Sequence, residues 1–104
     1  MLNDPVFFEA ARALSNRVLT ETDADPAHAV TQLFRWSLAR VPSEPERTVL
    51  VDYYRTQLTE LATQPATVEK LVPDPVDASR RVEQAAWTNT ASVLLNLHEF
   101  ITRE

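Results

Sequence analysis

The 104-residue sequence contains no cysteine and no glycine. Without cysteine there are no disulfides, iron–sulfur ligands, catalytic thiolates, zinc–thiolate sites or covalent haem attachment. Without glycine the phosphate-cradling turns of P-loop and dinucleotide folds are excluded, because only glycine easily supplies their backbone. The same absence removes the commonest helix C-cap and the commonest tight hairpin turn, which weighs most heavily against an all-β chain. Long apolar runs are missing too, as is a signal-peptide pattern, so the chain is expected to be soluble with no membrane insertion. Basic charge is in deficit: 15 acidic residues against 10 basic give a net charge of −5. That balance argues against binding to nucleic acid.

What is present reads as one helical domain over residues 1–104, with ordinary globular contents of 44% hydrophobic and 24% charged residues. Proline and polar caps punctuate it. Asp4-Pro5 and Asp25-Pro26 each pair a capping side chain with proline at the first helical position, where its missing donor costs nothing. Phe7, Ala10, Ala11, Leu14 and Val18 share one face of a first helix running to about Leu19. Ala29, Val30, Leu33, Phe34, Ser37 and Leu38 do so in a second, expected to end near Val41 because Pro42 disfavours helical geometry before it. Ser43-Glu44-Pro45-Glu46 is a capping box opening a third helix, with Leu50, Tyr53, Tyr54, Gln57, Leu58 and Leu61 on its faces, to about Thr63. Pro65 to Val72 reads as a short helix or plug. Asp77 is placed to cap a long closing helix to Ile101.

In that closing helix Val82, Ala86, Asn89, Val93, Asn96 and Phe100 form one row, and Thr90, Leu94, Leu97 and Ile101 form the next. Two rows make a face wide enough for more than one partner helix. Asn89 and Asn96 lie within the seam, where an amide needs hydrogen-bond partners, so at least one of them is expected to tie the helix to a loop or to another helix terminus. The expected fold is all-α: four main helices in a bundle-like domain, with a short extra helix or turn before the last.

Three strings resemble the C-terminal region of a domain of unknown function found mainly in planctomycetes, in large proteins that often carry cytochrome-c-like modules. They are Leu2-Asn3-Asp4-Pro5 with Glu9-Ala10-Ala11-Arg12-Ala13-Leu14; Leu33-Phe34-Arg35 with Arg40, Pro42-Ser43 and Glu46; and Ala86-Trp87 with Leu94-Leu95-Asn96-Leu97 and Glu99-Phe100-Ile101. The resemblance implies the tail of a longer polypeptide whose other modules bind haem or sugars and are exported. This chain holds no haem-attachment motif, so no cofactor is expected in it, and His98 stands where the pattern more often has Asn or Asp.

Chemistry-bearing residues are few. Trp36, Tyr53, Tyr54 and Trp87 are the aromatics able to stack on a sugar or dock a partner, against the competing expectation that they pack the core. His98, beside Glu99, titrates near neutrality, but adjacent helical residues point to different faces, and interaction with the helix dipole is the simpler role. Glu21, Asp23, Asp25 and His28 form an acidic loop without the length or glycine of an EF-hand. Arg35, Arg40 and Arg47 surround the turn between the second and third helices, as an anion site or as a clasp onto Glu44 or Glu46. No catalytic or metal-ligating set emerges. The expected role is a non-catalytic accessory or interaction domain, partnered by other domains of a parent protein or by a separate protein, and compatible with self-association. A small-ligand or carbohydrate-related enzyme component and a purely structural support for an adjacent domain are the alternatives.

Overall fold

In the computed structural model, which describes residues 5–22 and 25–102, with side chains described for residues 8–22 and 25–96, every regular element is helical. The order is α1 (Pro5–Glu21), α2 (Pro26–Leu38), α3 (Glu44–Leu61), the short α4 (Pro65–Leu71), a 3-10 turn over Ala78–Arg80, and α5 (Arg81–Thr102). The all-α architecture with a short helix before the last is as the sequence leads one to expect.

Several helix starts follow directly from their caps. The Asp25 carboxylate accepts from the Ala27 amide at 3.3 Å, and at α3 both halves of the capping box form: the Ser43 amide donates to Glu46 at 2.8 Å and the Glu46 amide to the Ser43 hydroxyl at 3.3 Å. Asp77 caps the 3-10 turn, accepting from the Ser79 amide at 3.0 Å, and α5 begins at Arg81. Asp4 and Asp23 lie outside the described residues.

Helix ends show how a chain without glycine stops. At α2 the stop comes earlier than Pro42 implies: Ala39 takes φ 57°, in the left-handed region, and its amide closes on the Arg35 carbonyl at 3.2 Å. An alanine does here what glycine usually does. At α4 two arginines from other elements satisfy the terminal carbonyls. Arg12 of α1 donates to Leu71 and Lys70 at 3.0 and 3.1 Å, and Arg81 of α5 donates twice to Val72 at 2.9 and 2.7 Å. Helix α3 ends at Leu61 rather than Thr63, in a tight turn where the Gln64 amide bonds the Leu61 carbonyl.

Helix α5 is the axis around which α1, α3 and α4 pack. Its middle is buried on all sides: Gln84, Ala85, Ala86, Trp87, Thr88, Thr90, Ala91, Ser92 and Leu94 are inaccessible. The expected seam is therefore too narrow, since it omits Ala85, Thr88 and Ser92. These small residues let α1 approach through Ala11 and Ser15, and the Ser15 and Thr88 hydroxyls meet at 3.0 Å. Ala10, expected in the core, is exposed, and Ser15 takes the buried position on that face. Gln84 is buried and bridges two segments, accepting from the Val76 amide at 3.0 Å and donating to Asn16 of α1 at 2.5 Å. Asn89 donates to Gln57 at 2.7 Å, tying α5 to the middle of α3, not to a loop or helix end. Leu33 and Leu94 lead the fully buried side chains. The radius of gyration, 12.8 Å, is that of a well-packed chain of this length.

Candidate functional site

The aromatics divide into two pairs. Tyr54 of α3 and Trp87 of α5 stack face to face, centroids 3.8 Å apart and planes 18° from parallel, at 4% and 3% exposure. Burial pushes the Tyr54 hydroxyl up to about 12, helped by the nearby Glu83 carboxylate. Both rings belong to the core and present no surface to a partner. Trp36 and Tyr53 are half-buried. Arg17 covers the Trp36 ring at 4.0 Å, a cation–π contact that occupies its face.

Tyr53 borders a cleft between α2, α3 and α5. Phe34 and Leu38 of α2, Val49, Leu50 and Tyr53 of α3, and Val93 and Leu94 of α5 line a half-open space of about 330 Å³. The sequence could have disclosed it: Pro45, Val49 and Tyr53 recur every fourth residue and give α3 a second apolar row besides its core face. Val49 is 65% exposed.

Charge enters only at the rim. Arg40 reaches back across the α2–α3 turn and grips Glu46 with two bonds of 2.9 Å, the forked geometry that favours arginine over lysine. Its guanidinium also lies 5.1 Å above the Phe34 ring. The Arg40 bonds, assisted by the Ser43 amide, pull the Glu46 carboxyl down to about 2. Arg47 pairs with Glu44, and Arg35 is exposed. The three arginines thus divide into two ion pairs and one solvated cation, a clasp on the turn rather than a convergent anion site. Burial raises the Tyr53 hydroxyl above its ordinary value, so it stays protonated at neutral pH as a hydrogen-bonding group.

The acidic loop also disperses. Glu21 pairs with Arg17 at 3.2 Å and Asp25 caps α2. Among the described residues no group of three or more His, Asp or Glu side chains is placed to hold a metal ion. The His98 and Glu99 side chains lie outside the described residues. No helix of the described residues is long and apolar enough to cross a membrane. Comparison with family models, with curated proteins and with solved structures found no match.

Proposed function

We propose that this chain is a non-catalytic helical accessory or interaction domain, with one of its binding sites in the α2–α3–α5 cleft. The observation that carries this reading is the contrast between apolar walls and a rim whose charges are already committed to each other. A carboxyl held near 2 and gripped by a guanidinium is neither a proton donor nor a useful base at neutral pH. An enzyme component would need titratable groups converging on a cleft, and Trp87, the aromatic expected to line one, lies in the core.

Following its three strings, we place the domain at the tail of a larger planctomycete-type protein, where its partners are the neighbouring modules. Detection of the native polypeptide in its source by antibody, under denaturing and native conditions, tests this. A larger polypeptide, or a stable assembly containing the domain, is expected. A free monomer of 11.8 kDa in both conditions overturns the proposal.

A further inference from the structure

We propose that the cleft is a receptor for a small, uncharged, mainly apolar molecule, an inference that rests on the reading of the domain as a binding module. Size gives the first argument. A space of about 330 Å³ falls within the range of roughly 300–1,000 Å³ typical of small-molecule sites. A stable protein interface needs about 800 Å² from each partner, and the exposed apolar side chains among the described residues do not extend the cleft into such a face. Large exposed apolar side chains among the described residues are Val41, Val49 and Val76. They stand on three different segments, and of these only Val49 borders the cleft.

Charge gives the second. An ionised ligand entering apolar walls loses its hydration and needs a free counter-charge. Arg40 is held by two bonds to Glu46, and that carboxylate stays ionised, so neither is free to compensate a guest. The rim is electrically closed. Recognition inside the cleft is therefore by shape and apolar contact with Phe34, Leu38, Leu50 and the Tyr53 ring.

Rigidity gives the third. The capping box fixes the start of α3, the left-handed Ala39 fixes the end of α2, and Arg40 is anchored both to Glu46 and over Phe34. The walls are set before a guest arrives, which lowers the ordering cost of binding.

Fluorescence titration of the full chain with N-phenyl-1-naphthylamine, a neutral apolar probe, tests the proposal, with anilinonaphthalene sulfonate as its anionic counterpart. Saturable binding at one site is expected, with Kd of about 10–100 µM for the neutral probe, and at least about tenfold weaker binding of the anion. Val49→Asp charges the rim and Val49→Trp fills the mouth. Each should weaken the neutral probe about tenfold, while Val76→Asp leaves it unchanged. Because Val49 is mostly exposed, both variants should keep the parent's melting curve. Absence of saturable binding, equal affinity for the anion, or full binding by both Val49 variants overturns the proposal. So does sedimentation showing a dimer that Val49→Asp dissolves, which would assign the face to a second copy. A native polypeptide still found in a larger assembly would then leave the binding-module reading standing and remove only the small-molecule occupant.

Discussion

Ala39 is the residue at which the absence of glycine can be measured. A left-handed alanine costs roughly 1–2 kcal/mol, against about 0.5–1 kcal/mol of extra unfolded-state entropy brought by glycine. Ala39→Gly is therefore expected to raise stability by about 0.5–1 kcal/mol in urea unfolding, and Ala39→Val to lower it; a destabilised glycine variant would show the alanine to be unstrained. Glu46 offers a test against pH. Its carboxyl titrates at about 2 in the folded chain against 4.5 ordinarily. Its contribution is thus complete above about pH 4.5 and disappears as pH falls toward 2. The stability gap between the parent and Glu46→Gln should be present at neutral pH and close across that window. Two exposed partners limit its size. A gap independent of pH would mean that Glu46 contributes only as a helix-capping shape.

At the scale of elements, the end of α4 is the junction to probe. A seven-residue helix is too short to persist alone, and its last carbonyls are held from both sides by Arg12 and Arg81. Removing one arginine leaves those acceptors short of charged donors, at a cost of about 1.5–3 kcal/mol. Arg81→Ala should therefore accelerate amide exchange in α4 more than in α2. Arg81→Lys should restore little, because an ammonium lacks the forked donors. Equal acceleration in both helices would show a merely global loss. Element starts were legible in the sequence because a cap is a local device: Asp25, Ser43 with Glu46, and Asp77 each act within three residues. Ends were not. The stop of α2 depends on a left-handed alanine that no residue preference announces, and the stop of α4 depends on arginines 59 and 9 residues away.

For the molecule as a whole, the sequence gives the class of fold but understates how central α5 is. Thr88 and Ser92 read as polar, yet both are buried where helices come close, and hydropathy alone cannot find a seam built on small size. The cleft was only half legible: Pro45, Val49 and Tyr53 mark a second apolar row on α3, but Phe34, Leu38, Leu50 and Leu94 read as ordinary core, and packing shows that the space beside them is left open. The Ser15–Thr88 contact joins α1 to α5, and a thermodynamic cycle should expose it. Thr88→Val alone removes the donor to the buried Ser15 oxygen, which still donates to the Arg12 carbonyl at 3.1 Å, and should cost about 1 kcal/mol, whereas adding Ser15→Ala should recover much of it. Strict additivity would mean that the hydroxyls do not act together.

The central position of α5 also has a meaning in time. A chain leaves the ribosome from its N-terminal side, so α1 through α4 emerge before the helix that covers them. Until residues near Trp87 and Thr88 are made, Ser15 and Tyr54 lack the partners they close against, although α2 already has α3 beside it. Nascent chains halted before α5 should be the substrates of chaperones, and assembly should come late and all at once.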